Sequence, residues 1–357
     1  MSDQSPLEYP FDDTPGFGET RVVADGVKWL RMPLPFSLDH INLYLLDDGD
    51  GWVLIDTGLH TSMVRDLWDK VIANELDGKP IKRVVATHYH PDHIGCAGYL
   101  CKLLNVPLYM TYKEFHLARM IMADKRAAPP EEYLDFYRRA GMPEQGVQMM
   151  EEAGFGLFAK SVSDLPFGFH RISEGDELEI GNRTWRILIG SGHSPEHACL
   201  YCEQEHLLIS GDQLLPKITA NVSVYATEPM NNPLKAWIAS QHMFKALPDE
   251  TLVLPAHNDP FRGVKRRAED VLGAHLRRLH ALVAHCDEEP RSAAEGFPVL
   301  FRRKLKGADF VMALGESLAH MHYLENLGVL ERIDSTPIRF KTVAKFDENI
   351  VLESETG

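Results

Sequence analysis

The chain predicts a mixed α+β protein built as a four-layer αββα sandwich, with a helical insertion and a small C-terminal winged-helix-like region. Three observations lead there. Short apolar runs that end in Gly, Pro, His or Asp recur in both halves of the 357 residues. A strand-then-helix order in the first half returns in the second. A Met- and aromatic-rich stretch with helical spacing separates the halves at about 111–170. In layered α/β folds function collects at the carboxyl ends of strands, so the same runs also locate a candidate site.

The elements follow in order. Residues 20–57 are β-rich, with Asp48-Gly49-Asp50-Gly51 as a turn. A helix over 61–75 is capped by Thr61 or Ser62. A strand at 82–87 follows. His93 then opens a helix running to about Leu104, in which Gly95 and Gly98 permit close packing. Within 111–170, Phe115, Arg119 and Met122, then Tyr133, Phe136 and Tyr137, recur at helical spacing. Pro129-Pro130 and Gly141-Met142-Pro143 break the helices. This segment is either a lid whose Met and aromatic residues line an apolar substrate pocket, or a helical hairpin packed on the sandwich. Strands near 176–190 and 198–210, a helix over 233–247 and a strand at 251–254 complete the second half. Residues 262–284 form one amphipathic helix, and another runs through Ala313, Leu314, Leu318, Met321 and Leu324, with Gly328 as its cap. Two β-like runs at 329–332 and 338–343 close the chain as a ribbon. The expected division is an N-terminal tail (1–19), a catalytic domain (20–260) and a C-terminal winged-helix-like region (261–357).

Composition narrows the classes. A hydrophobic content of 44% with 25% charged residues fits a globular chain. No apolar run approaches a membrane span, and residues 1–13 are polar and acidic with no apolar signal core, so a cytoplasmic location is expected. Five scattered cysteines suit reduced thiols, and Cys199-Leu200-Tyr201-Cys202 reads as core packing in a strand-like run. A net charge of −15 argues against general nucleic-acid binding, which needs cations over phosphates. Residues 261–306 depart from this, with eleven Lys/Arg against six Asp/Glu. They face either an anionic partner or solvent.

The most informative stretch is His88-Tyr89-His90-Pro91-Asp92-His93, directly after the apolar run Val84-Val85-Ala86-Thr87. Neutral imidazole and carboxylate suit zinc and its first-row neighbours. One short stretch cannot turn all four side chains onto a single ion, so the natural reading is two ions sharing the loop. Two adjacent metals can hold a bridging hydroxide and clamp both ends of a displacement. Four more apolar runs end in similar residues: at Asp56-Thr57-Gly58, at Ser191-Gly192-His193-Ser194-Pro195, at Ser210-Gly211-Asp212 and at Pro255-Ala256-His257.

Together these motifs resemble the metallo-β-lactamase superfamily over roughly residues 20–260. The resemblance implies that His88, His90 and His193 hold a first metal, that Asp92, His93 and His257 hold a second, and that Asp212 bridges them. It makes Asp56 an orienting partner of the ligands. His197, similar to a second histidine of glyoxalase II-type members, is either such a partner or core. His90 stands where redox di-iron relatives carry Glu, which implies hydrolysis. Asp92 is intact, and Asp212 supplies a bridge that some true β-lactamases lack. The pattern is nearer glyoxalase II, lactonases and phosphodiesterases.

The expected reaction is attack by a metal-activated hydroxide on a carbonyl or phosphorus, with Asp92 or a metal-bound water returning a proton to the leaving group. The cofactors expected are two divalent ions, zinc by default, with iron or manganese compatible. A thioesterase, esterase or lactonase acting on a small acyl substrate comes first. A nuclease or phosphodiesterase, prompted by the C-terminal region, comes second, and a nucleic-acid-binding regulatory protein third. Tyr225, Asn221 and His40 are candidates for substrate contact.

Overall fold

Alternation along the strands sets the layers. The computed structural model describes residues 7–124, 126–301 and 308–352. Strands β1 (Thr20–Ala24), β2 (Val27–Pro33), β3 (His40–Asp47), β4 (Trp52–Ile55), β5 (Ile81–Val85), β6 (Leu108–Thr111) and β7 (His170–Ile172) make a seven-stranded sheet in sequence order. It is antiparallel from β1 to β4 and parallel from β4 to β7. Strands β8 (Glu177–Ile180), β9 (Arg183–Gly190), β10 (His197–Cys202), β11 (Leu207–Gly211) and β12 (Leu252–Pro255) make a second sheet in the order β12-β11-β10-β9-β8. Only its β11/β12 pair is parallel.

Successive strand residues point to opposite faces. Trp29, Tyr44 and Leu46 therefore enter the space between the sheets, against Trp185, Ile187, Leu200, Ile209 and Leu254. Leu30, Met32, Ile41, Leu43 and Leu45 turn outward onto Trp68 and Val71 of α1 (Ser62–Asn74). Thr61 caps α1, its hydroxyl accepting the Val64 N–H at 3.2 Å. The chain continues through α2 (Pro91–Ile94), α3 (Ala97–Leu104), α4 (Tyr112–Ala123), α5 (Glu131–Arg139), α6 (Glu144–Ala153), α7 (Leu157–Ser161), α8 (Pro233–Lys245) and α9 (Val264–Glu288). Phe244 of α8 and Val264 and Ala268 of α9 cover the outer face of the second sheet, on Leu188, Tyr201, Leu208 and Val253. The order helix, sheet, sheet, helix is the predicted sandwich.

Two details differ from expectation. The helix expected from His93 to Leu104 is broken between α2 and α3. There the Cys96 N–H is diverted to Gly58 O (3.0 Å), while His93 O accepts from Thr57 N–H (2.8 Å) and Thr57 Oγ1 (2.7 Å). Strands β6 and β7 extend the first sheet on either side of the helical insertion, and four or three residues are too few for alternation to announce them.

The insertion is packed on both sides. Phe115 and Ala118 of α4 enter the core below the first sheet. Leu134, Tyr137, Met142 and Val147 share a core with Leu272 and Leu279 of α9 and with Leu314 and Leu318 of α11 (Ala308–Asn326), which follows the short α10 (Phe297–Leu300). Helix α9 runs past its expected end to Glu288, stopping where Glu289, extended at φ −160°, precedes Pro290. After α11, β13 (Leu330–Ile333) and β14 (Arg339–Thr342) pair as an antiparallel ribbon, and α12 (Asn349–Leu352) ends the described chain. Several cations of the basic stretch bind their own chain: Arg267 reaches Leu215 O (2.5 Å) and Ile218 O (2.7 Å), Arg278 pairs with Glu316, and Arg291 with Glu289. Arg302, Arg303, Lys304 and Lys306 lie outside the described residues. The five cysteines are buried with free thiols. Among the described residues no helix is long and apolar enough to cross a membrane.

Two predictions follow from this packing. A Cβ at Gly98 would lie 2.0 Å from Asp164 O, where main chain cannot yield cheaply. Gly98→Ala should therefore lose about 1–3 kcal/mol in urea unfolding, and a variant as stable as the parent would disprove the close approach. His275 and His320 stack with ring centroids 5.2 Å apart, His275 Nδ1 lying 3.1 Å from His320 Nε2. Burial, with the Arg278 charge nearby, pushes His275 well below its ordinary range and His320 to about 4. The unfolded chain takes up these protons near 6.5 and the folded one does not, so stability should fall as pH drops from about 6.5 toward 4. The slope should be about 1.4 kcal/mol per pH unit for each ring, and His320→Gln should flatten it.

Candidate metal centre

Four loops converge at one end of the two sheets. One leaves β5, and Pro91 opens α2, a position that needs no N–H. Its residues His88 and His90 precede α2, whose first turn carries Asp92 and His93. The others carry His193 between β9 and β10, Asp212 just after β11 and His257 just after β12.

Their side chains gather in two groups. His88, His90, His193 and Asp212 form one, and Asp92, His93 and His257 the other, with one donor atom per residue within 4.8 Å of the rest of its group. Asp212 faces both: Oδ2 lies 3.2 Å from His193 Nε2 and 3.5 Å from His93 Nε2, and Oδ1 lies 3.3 Å from His257 Nε2. Asp92 Oδ2 is 3.4 Å from His257 Nε2 and 3.7 Å from His93 Nε2. Tetrahedral zinc with bonds near 2.0–2.2 Å spaces its ligand atoms about 3.3 Å apart. The donor set fits metal by a second criterion as well. His93 Nε2, His193 Nε2 and Asp212 Oδ1 are buried without a hydrogen-bond partner, which is costly unless a cation takes their lone pairs.

The far nitrogen of each imidazole that offers Nε2 is held. His88 Nδ1 meets Thr87 Oγ1 (3.0 Å), His93 Nδ1 meets Asp56 Oδ2 (2.8 Å), His193 Nδ1 meets Asn221 O (2.7 Å) and His257 Nδ1 meets His40 O (2.8 Å). Such partners fix tautomer and ring plane and aim Nε2 at the centre, where His88 Nε2 also lies 2.9 Å from His90 Nδ1. Asp56 adopts φ +60°, a left-handed conformation that Asp tolerates better than most residues. Its carboxylate also accepts the Thr87 N–H (2.7 Å) and hydroxyl (2.9 Å). His197 is fully buried, stacks on His88 at 4.6 Å and accepts the Asp212 N–H at 3.1 Å. The glycine of Ser210-Gly211-Asp212 makes this possible, since a Cβ there would lie 2.4 Å from the His197 ring.

Of the three residues named for substrate contact, two reach the centre by main-chain carbonyls. His40 holds His257 in this way, and its ring accepts the Asn258 N–H at 2.9 Å. Asn221 holds His193, its amide turned to Met312 O (3.3 Å) and Glu316 (3.2 Å). Tyr225 is 40% exposed and lies near Tyr89 of the histidine loop. Sequence reasoning missed Thr87, although it directly precedes His88. It also missed Glu114, in the first turn of α4, which no motif marks. Buried, Glu114 accepts the Tyr89 N–H (3.0 Å) and the Glu196 N–H (2.6 Å), joining two of the converging loops.

Electrostatics sorts the donors. Burial and neighbouring imidazoles push His88 well below its ordinary range, and burial takes His90 to about 3, so both are neutral. Burial opposes charge on His93 and His257 too, but Asp92 and Asp212 (with Asp56 at His93) outweigh it and raise both. Against the same burial, His93 and His257 hold Asp92 and Asp212 below the usual carboxylate range. The carboxylates thus create a place where positive charge is stabilised.

Comparison with known proteins agrees with this geometry. Residues 37–257 match the metallo-beta-lactamase superfamily, and residues 279–343 match the metallo-beta-lactamase-like C-terminal domain. The chain belongs to the metallo-beta-lactamase superfamily. It is 24% identical over 337 residues to the probable metallo-hydrolase YqjP of Bacillus subtilis, covering 91% of this chain and all of that one. The crystal structure of a beta-lactamase domain protein from Burkholderia ambifaria superposes with a TM-score of 0.86 at 40% identity, over 94% of this chain and 97% of that one. An atrochrysone carboxyl ACP thioesterase of Aspergillus fumigatus is 24% identical over 250 residues, 70% of this chain and 44% of that protein. The centre is therefore the His/Asp metal site of a metallo-hydrolase.

Asp56→Asn keeps the shape and the left-handed backbone but removes a charged acceptor from Thr87 and His93. Metal affinity, read by chelator competition, should fall roughly 10–100-fold. Parental affinity would show that Asp56 does not orient His93.

Proposed function

We propose that this protein is a dinuclear metal-dependent hydrolase that opens the carbonyl bond of a small acyl substrate: a thioester, ester or lactone. The observation that carries the dinuclear reading is Asp212, whose carboxylate lies within 3.5 Å of imidazoles from both groups. His88, His90 and His193 would hold one ion, Asp92, His93 and His257 the other, with Asp212 between them. Zinc is the default for this nitrogen and oxygen set, and iron or manganese suit it as well. When bound, such ions polarise a carbonyl oxygen and supply hydroxide near neutral pH. Asp92, its side chain 22% exposed at the centre, or a metal-bound water would return a proton to the leaving group.

Two further observations favour a carbonyl over a phosphodiester. A groove of about 550 Å³ lies between α6 and the start of α11, lined by Met142, Met149, Met150, Phe155, Phe310 and Met312 among others. Its described lining carries no charged side chain. Methionine and aromatic walls adapt to an apolar tail and offer nothing to a phosphate backbone. The thioesterase relative acts on an acyl carrier. The rival reading, an endoribonuclease or phosphodiesterase using the same centre, takes its support from the winged-helix-like C-terminal region.

The test is a hydrolysis panel on metal-analysed protein. It sets acyl-CoA and glutathione thioesters, lactones and aryl esters beside single-stranded RNA and a bis-aryl phosphodiester. Carbonyl substrates should dominate, with about two ions per chain. Dominant phosphodiester cleavage would overturn the acyl reading.

A further inference from the structure

The C-terminal helices reach the metal centre through one chain of polar contacts. His193 donates from Nδ1 to the main-chain carbonyl of Asn221 at 2.7 Å. Residues 212–232 form no helix or strand, so no secondary structure of their own fixes that carbonyl. Helix α11 does so instead. The Asn221 amide donates to Glu316 Oε2 (3.2 Å) and to Met312 O (3.3 Å). Ser223 Oγ bridges Asn221 Oδ1 and Met312 O. The Val224 N–H donates to Gly315 O at 3.1 Å. The fit is flush, since a Cβ on Gly315 would lie 2.7 Å from Ser223 Oγ and 2.9 Å from Val224 O. Glu316 is held in turn by Arg278 of α9, Nη1 to Oε1 at 3.1 Å, with side chains only 14% and 26% exposed.

We propose that Glu316, itself held by Arg278, is a positioning residue for the metal ligand His193, so that the C-terminal region completes the first metal group of the sandwich. Glu316 orients the Asn221 amide, the amide sets its residue's carbonyl, and the carbonyl sets the imidazole. Breaking the chain loosens one ligand of the His88, His90, His193 and Asp212 group and leaves the Asp92, His93 and His257 group intact. The proposal rests on His193 being a ligand.

The experiment is a cobalt(II) titration of the metal-free, full-length protein, read by visible absorbance and chelator competition. Glu316→Ala should weaken one of the two ions roughly 10–100-fold, alter the spectrum of that ion alone, and leave the affinity for the other ion at the parental value. Glu316→Gln, whose amide oxygen still accepts from Asn221, should recover most of the affinity. If Glu316→Ala does not fold, Asn221→Ala keeps the carbonyl, removes its anchor and should weaken the same ion. Parental binding of both ions in these variants overturns the proposal, as does equal weakening of both ions with a lowered melting temperature. His193→Ala separates the two levels. If it also keeps both ions, the ligand assignment fails; if it loses one while Glu316→Ala loses none, only the positioning role fails.

Discussion

Charge has to balance at the buried end of the two sheets, and the rest of the molecule is arranged around that requirement. Asp212 is the pivot, a buried carboxylate with imidazoles of both groups within 3.5 Å. Ionised carboxylates crowded away from water are unfavourable without a shared positive charge. A divalent cation satisfies the whole set, and the loops that carry it then have reason to converge.

Holding such a set requires rigidity beyond the ligands. Asp56 and Thr87 lock the first loop from the D-T-G turn, and Glu114 ties it to the loop of His193. Asn42 and Tyr44 of β3 donate to Pro255 O (2.9 and 2.8 Å) and so steady the loop of His257. The insertion is therefore part of the scaffold. A detachable lid would not carry Glu114, and it would not share a core with the C-terminal helices. The segments that wall the apolar groove also share the core that supports the metal loops.

Much of the site was legible because metal chemistry admits few residue types. His88, His90, Asp92 and His93 crowd one loop, and the partners at 193, 212 and 257 each follow an apolar run. The orienting layer was harder to see. His193 and His257 lean on carbonyls, which every residue possesses, so Asn221 and His40 drew attention for their side chains while their main chains do the holding. Glu114 is one acid among many in the sequence, and only its burial between two loops distinguishes it. Strands β6 and β7 are set by pairing with distant neighbours, which no local pattern encodes.

By itself, the sequence determined the layered α+β architecture and the donor types, because strand alternation and metal preference are written in residue identity at short range. The division of the donors into two groups was implied by the family resemblance, and tertiary structure supplied the geometry that gathers each group. It decided which carbonyls orient them, and that the insertion and C-terminal helices close over one core. These are long-range contacts, in some cases between residues more than 200 positions apart, and no local pattern carries them.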